Sequence, residues 1–320
     1  MSKVVVTGKI PAGGLARLKA EHDVTAWESD KVISRAELLS MVAGADAIVS
    51  LLTEKIDDEL LDAAGPQLKS VSNVAVGYNN IDVPACEKRG VLVTNTPGVL
   101  TEATADIAMS LILMTTRRLG EGERVIRAQE PWQWGMFYML GMGLQGRQLG
   151  IVGMGQIGIA TARRAKAFGM NIAYTRRSPL EDNVVKELDA KYMSMDELIE
   201  SSDVLSLHCP YSPATHHLMS ENQFARMKKT AFLINTARGP IVHEQALVDA
   251  LKSGQIAGAG LDVFENEPAV NPGLLELDNA VLIPHLGSAT VETRAAMADI
   301  AATNALAILA GAQAPNLVTS

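Results

Sequence analysis

Apolar and polar positions alternate on two scales along this chain. Short apolar runs read as strands: KVVVTG, AIVSLL, SVSNVAV and VLVTN in the first third, then LGIVG, NIAYT, VLSLHC, AFLINTA, AGAGLDV and AVLIPH. Longer amphipathic stretches separate many of them and carry helix start signals, including capping boxes at Ser34 to Glu37, Ser194 to Glu197 and Ser220 to Gln223. Alternation of this kind predicts parallel sheets joined by crossover helices. One long helical stretch, about residues 101–127, breaks the rhythm and leads into PWQWGMFYMLGMGLQG; it reads as a connector between two α/β units. The final TVETRAAMADIAATNALAILAG is a helix with no strand after it, and composition leaves open which unit it covers.

The totals narrow the function classes. With 320 residues, two domains each able to bury a core are expected. No apolar stretch approaches the roughly 18 residues of a membrane span, and the N-terminal MSKVVVTGKIP turns to Gly and Pro too soon for a signal peptide. Two cysteines, Cys86 and Cys209, are too few for a disulfide framework, so a cytoplasmic protein is expected. A net charge of -8 without a long basic run argues against nucleic acid as partner.

The second half opens on LGIVGMGQIGIATARRAKAFG, where Gly153, Gly155 and Gly158 follow a strand and start a helix. In a dinucleotide site the first glycine permits a tight turn, the second lets backbone approach a pyrophosphate and the third lets helix and strand pack. The bare pattern is weak and its context strengthens it; the alternative is a merely tight strand-to-helix turn. After the next strand, IAYT, comes Arg176, 18 residues past Gly158 (176 − 158), where an acid usually holds the ribose 2′-hydroxyl of NAD. Arg176, Arg177 and Ser178 offer positive charge and donors to a 2′-phosphate instead, which points to NADP, with NADPH preferred and NADH as the weaker alternative. Exposed arginines after a solvated strand end are the plain alternative.

Three later strand ends each carry one chemically useful group: Arg238 in INTARGPIV, Glu267 in GLDVFENEP and His285 in LIPHLGSAT. Ligands in open α/β sheets sit at the carboxyl ends of strands, so these groups are candidates to converge. Arg clamps a carboxylate in two-pronged fashion, His moves a proton near neutral pH, and Glu orients the imidazole and favours its charged form. Singly, each has an ordinary structural explanation. His208, His216 and His217 lack partners at ligand spacing, so no metal is inferred.

GMGQIG, NTARG, GLDVFENEP and PHLGSAT, together with NVAVGYNNIDVPACEKRGVLVTNTPG and TADIAMSLIL, resemble the D-isomer-specific 2-hydroxyacid dehydrogenase family, in order and over nearly the whole chain. Within it the glyoxylate and hydroxypyruvate reductases are the most similar. The resemblance implies two Rossmann-like, doubly wound α/β domains: an NADP-binding domain, 99–286, inserted in a flavodoxin-like substrate domain, 1–98 plus 287–320. It implies His285 as acid/base, Glu267 as its partner, and Arg238 as ligand of the substrate carboxylate and keto oxygen, with backbone N–H groups of Val76 and Gly77 also on the carboxylate. For the cofactor it implies Met154, Gly155, Gln156, Ile157 and Gly158, then Arg176 to Ser178, Cys209 and Pro210, Thr236 and Ala237, Asp262 towards the carboxamide, and the turn from His285 to Gly287. Thr104 is implied at a phosphate. The substrate would be a small 2-oxo acid, and the assembly a homodimer through the Trp- and Met-containing region, where one tryptophan would help shape the pocket.

Rival readings are a 2-ketogluconate-type reductase or a short phosphoglycerate dehydrogenase. Formate dehydrogenase fits less well, since its pattern has Gln where this chain has Glu267. A nucleotide-sensing corepressor-like binding protein is the alternative from another class. The acidic balance and the presence of all three candidate chemical positions argue against it.

Overall fold

The structure, a computed structural model, describes residues 1–318 and divides into two compact units. The first comprises residues 1–100 and the chain from Ala289 onward, the second Thr101–Ser288. These divisions fall two residues past the expected 98/99 and 286/287 boundaries, because the first helix of the second unit begins only at Thr101 and the His285 turn runs on to Ser288.

In the first unit β1 (Lys3–Val6), β2 (Asp23–Ala26), β3 (Ala47–Ser50), β4 (Ser70–Asn73) and β5 (Leu92–Thr94) form a parallel sheet in the order β2-β1-β3-β4-β5. Side chains alternate across a strand, so both faces must be apolar if both are covered. Val4 and Val6 of β1 and Ala47 and Val49 of β3 pack with Ala298, Ala301, Ala302 and Ala305 of the last helix, Val291–Leu309. Val5, Ile48, Val71 and Val93 face the opposite way, into the helices Arg35–Val42 and Asp58–Ala64. The last helix therefore completes the first unit. It packs along the first helix, Ala12–Glu21, so closely that a Cβ on Gly14 would lie 2.5 Å from the Ala298 carbonyl oxygen.

In the second unit β6 (Gln148–Val152), β7 (Asn171–Thr175), β8 (Lys191–Tyr192), β9 (Val204–Leu207), β10 (Phe232–Asn235), β11 (Gly258–Leu261) and β12 (Ala280–Leu282) form another parallel sheet, in the order β12-β11-β10-β9-β6-β7-β8. The chain runs outward from β6 through β8 and then returns to β9 on the other side. The order therefore switches between β6 and β9, where such sheets leave a crevice for a ligand.

The sequence pattern located ten of these strands and missed β2 and β8. Both are short edge strands, half or fully exposed, and an edge needs no continuous apolar run. All three expected capping boxes form. The long helix expected over 101–127 is a correction. It is two helices, Thr101–Thr116 and Leu119–Arg127, parted at Arg118 with φ 53°. The Thr116 carbonyl accepts from Met142 N at 2.7 Å, and a Cβ on Gly141 would lie 2.4 Å from that oxygen, so the returning chain occupies the place of the next helical turn. Nor is the first of these helices a free connector, since it packs on β10, β11 and the helix Gln156–Ala167 inside the second unit. Among the described residues no helix is long and apolar enough to cross a membrane.

The Gly14 contact gives a test of how the last helix is held. Gly14→Ala should lower unfolding stability by about 1–3 kcal/mol, the usual cost of overpacking, measured by chemical denaturation, while a neutral effect would mean that the two helices separate easily.

Candidate active site

The glycine turn lies at the switch point. Gly153, with φ 91°, presses on the chain beyond β9 so tightly that an added Cβ would be 2.4 Å from Cys209 N. A Cβ on Gly158 would come within 2.9 Å of the Gly153 carbonyl oxygen, whereas one on Gly155 would meet nothing within 4 Å. Two glycines are thus required by packing, and the third leaves backbone open. The helix Gln156–Ala167 begins at Gly155 without a side-chain cap, so its first-turn N–H groups face outward, a ready place for phosphate. Met154 is buried beneath the turn. Its carbonyl accepts from Arg176 Nη1 at 3.3 Å, which draws the guanidinium over the turn, and Tyr192 donates its hydroxyl to the Arg176 carbonyl at 3.0 Å. Arg177 and Ser178 are exposed, and no acid stands between Thr175 and Leu180. After β10, the buried Thr236 hydroxyl has no partner among the described residues. An open glycine, uncapped helix amides and an unpartnered buried hydroxyl fit a bound dinucleotide.

Past β9 the environment is apolar. Burial pushes the Cys209 thiol up to about 11, so it stays neutral, and the Pro210 carbonyl accepts from Thr215 Oγ1 at 2.9 Å. Burial likewise pushes the His208 imidazole down to about 4; its Nε2 pairs with Ser206 Oγ at 2.8 Å. Burial thus disfavours a charge on His208.

Arg238, Glu267 and His285 follow the adjacent strands β10, β11 and β12. Asn235 holds the Arg238 loop by donating to the Arg238 carbonyl at 3.0 Å and accepting from Ala237 N at 3.0 Å. Gly239 is pressed onto the peptide of Phe264, where a Cβ would fall 1.9 Å from the carbonyl carbon. That contact welds the arginine loop to the glutamate loop. Phe264 N donates to Glu267 Oε1 at 2.9 Å, and Glu267 Oε2 meets His285 Nδ1 at 2.8 Å. Burial raises the Glu267 carboxyl, but the His285 hydrogen bond and charge, the Phe264 N–H and the Arg238 charge outweigh it and hold the group below its ordinary value. Burial pulls the Arg238 guanidinium down, and the Glu267 charge opposes the shift.

His285 itself has φ 50°, a left-handed conformation that costs energy outside glycine. Asp262 maintains it. The Asp262 carbonyl accepts from His285 N at 2.8 Å, and its carboxylate accepts from Leu286 N at 2.5 Å and Gly287 N at 2.8 Å. Thr104, buried, donates to the Gly287 carbonyl at 3.1 Å. Asp262 and Thr104, which the resemblance implies at the cofactor, also hold the histidine turn, each through a backbone group of that turn.

In the first unit the loop with Val76 and Gly77 has both carbonyls engaged, by Asn95 Nδ2 at 2.8 Å and Asn73 Nδ2 at 2.9 Å. Neither of their N–H groups has an acceptor among the described residues. The support beneath was invisible in the sequence. Buried Glu54 accepts from Thr7 Oγ1 at 2.5 Å and Leu51 N at 2.7 Å, and also from Thr53; Asn80 ties the Leu51 and Glu54 carbonyls to Asn73. Only Asn73, Asn80 and Asn95, all inside the quoted motif, could have signalled it.

A model described as "D-isomer specific 2-hydroxyacid dehydrogenase, NAD binding domain" matches residues 109–287. The chain is 48% identical over 321 residues to a glyoxylate reductase of Thermococcus onnurineus, covering 99% of this chain and 95% of that one. A glyoxylate reductase of Korarchaeum cryptofilum is also 48% identical, with the same coverage. Among solved structures, a glyoxylate reductase from Paecilomyes thermophila superposes with a TM-score of 0.89 at 36% identity, over 99% of this chain and 98% of that one. An NADPH-dependent glyoxylate/hydroxypyruvate reductase from Sinorhizobium meliloti, in complex with NADP and malonate, gives 0.85 at 36% identity, over 99% and 97%.

His208 carries the pH prediction for this region. Its folded value of about 4 lies below the ordinary 6.5, so the unfolded chain binds the extra proton between those values. The stability it contributes is fully present above pH 6.5 and declines as pH falls towards 4. Denaturation midpoints of His208→Gln should fall less steeply than wild type across that interval; parallel curves would show that His208 titrates normally.

Proposed function

Since the chain belongs to the D-isomer-specific 2-hydroxyacid dehydrogenase family, we propose that it reduces a small 2-oxo acid, glyoxylate or hydroxypyruvate, to the D-2-hydroxy acid, using NADPH in preference to NADH. The observation that carries the chemistry is the His285–Glu267 pair at 2.8 Å, with the charge of Arg238 beside it, on loops of one sheet edge. The relatives named glyoxylate reductase favour the substrate class. A bound reduced nicotinamide would supply the hydride for the keto carbon. The protein supplies the proton and the charge. Glu267 occupies Nδ1, so the proton leaves His285 from Nε2 to the keto oxygen as negative charge develops there. An ionised Glu267 favours the protonated imidazole and fixes its orientation.

Arg238 is assigned the substrate carboxylate and keto oxygen, and the half-buried setting of its guanidinium strengthens such contacts. Val76 and Gly77 are assigned backbone donation to the carboxylate. For the cofactor we assign the pyrophosphate to residues 154–158 and the ribose 2′-phosphate to Arg176, Arg177 and Ser178. The absence of an acid beside those arginines supports the NADPH preference.

A cytoplasmic homodimer completes the reading. Its two cysteines are free thiols. The helix Leu119–Arg127 buries no residue, and Trp134, Met136 and Phe137 beyond it are 76%, 73% and 89% exposed, an apolar surface of the kind that marks a protein interface.

Three measurements check this reading. Purified protein should oxidise NADPH faster than NADH with glyoxylate or hydroxypyruvate, and Arg176→Asp should reverse the preference; an unchanged preference would remove the arginines from that role. His285→Asn should reduce kcat by roughly 10²- to 10⁴-fold, the usual contribution of a general acid, with cofactor binding retained, and near-normal turnover would displace His285. Light scattering should give a dimer, and a monomer would dismiss the apolar arm as its interface.

A further inference from the structure

We propose that Glu244, Glu265 and His217 form a second carboxylate–imidazole assembly that positions Glu267, and through it the ring of His285, for proton transfer. The inference rests on the dehydrogenase reading and adds three positioning residues to it. Glu244 opens the helix Glu244–Lys252 and is only 4% exposed. A carboxylate is seldom buried so deeply unless its oxygens have firm partners. Its Oε1 accepts from Glu265 N at 2.6 Å. One buried side chain thus holds the start of the segment 265–271, which contains Glu267.

The grip is reciprocal. Glu265 Oε2 accepts from Glu244 N at 3.2 Å, and Glu265 Oε1 pairs with His217 Nε2 at 2.6 Å. His217 has φ 50°, as His285 does, and its own N–H donates to the Pro240 carbonyl at 2.8 Å. It therefore joins the glutamate segment to the loop that follows Arg238. Outside it lie His216, stacked at 3.9 Å between ring centroids, and His243 at 4.7 Å; Glu221 pairs with His243 at 3.2 Å and Tyr211 with His216 at 3.3 Å. Burial raises the Glu244 carboxyl, and the neighbouring Glu265 and Glu267 charges push the same way, against the N–H donors of Glu265 and Asn271. Three carboxylates share this corner, with His217 hydrogen-bonded to Glu265 and His285 to Glu267.

A clamp of this kind fixes where Glu267 stands against its histidine. Released, Glu267 would no longer hold the protonated ring, and the alkaline limb of the kcat/KM profile for reduction would move to lower pH.

The test compares Glu244→Ala, Glu244→Gln and His217→Gln with wild type. His217 is a partly exposed side chain whose replacement leaves the core intact. Glu244→Ala should lower kcat roughly tenfold and shift the alkaline limb down by about one pH unit, the lower end of what a nearby counter-charge supplies, with NADPH affinity retained. Glu244→Gln, which keeps an acceptor oxygen for Glu265 N, should recover most of the turnover, and His217→Gln should shift the limb in the same direction by less. Amide exchange over 264–271 should quicken in Glu244→Ala and stay near wild type in Glu244→Gln. Lower thermal stability with an unchanged limb and unchanged kcat per folded molecule would overturn the proposal, as would unchanged exchange. If wild type turned over no 2-oxo acid with either nicotinamide, the functional reading would fail, and the exchange comparison would still decide whether Glu244 clamps the segment.

Discussion

Parallel pairing is the constraint from which the rest follows. Every strand in both sheets runs the same way as its neighbours, so each crossover returns the chain to the same edge and all carboxyl ends lie together. Residues far apart in sequence become neighbours for that reason alone: Gly153 and Cys209 at one switch point, then Arg238, Glu267 and His285 beyond three successive strands. The sheet brings loops to one edge, but it does not set their conformations. Those are set by close contacts such as Gly239 on the Phe264 peptide and by buried side chains that accept backbone N–H groups, Asp262 and Glu244 above all.

Legibility in the sequence followed the same division. The central strands announce themselves because both of their faces are covered, and Val4, Val5 and Val6 must all be apolar whichever face they join. Edge strands such as Lys191–Tyr192 bury little and carry no such signature. The break at Arg118 was hidden because its cause is Met142, 24 residues later (142 − 118), occupying a carbonyl that a continuing helix would have used. The last helix could not be placed from its own pattern, since an alanine-rich face suits many partners; it takes the chain's other end, Gly14, to define the fit.

The candidate chemistry was legible where a residue type is unusual for its position, as with arginines in place of an acid after β7. It was illegible where a polar side chain supports a loop. Glu54 and Glu244 look in sequence like ordinary surface acids, and only burial reveals that each one organises a turn. Asp262 shows the difficulty most plainly. A motif marks the residue as important, but its hold on the histidine turn depends on where Leu286 and Gly287 put their N–H groups.

The last helix has a consequence for biosynthesis. Val4 and Val6 leave the ribosome 292 residues (298 − 6) before the first of residues 298–305, which cover the face they present. At about 5–20 residues per second, the intervening chain takes roughly 15 to 60 s to make. For that time the first sheet is half-clothed, with an apolar face awaiting its cover while the second unit already has all of its own strands and helices in hand. A nascent chain stalled before Val291 should be the form most prone to be recognised by chaperones, and the order of synthesis, rather than the stability of the finished protein, sets that exposure.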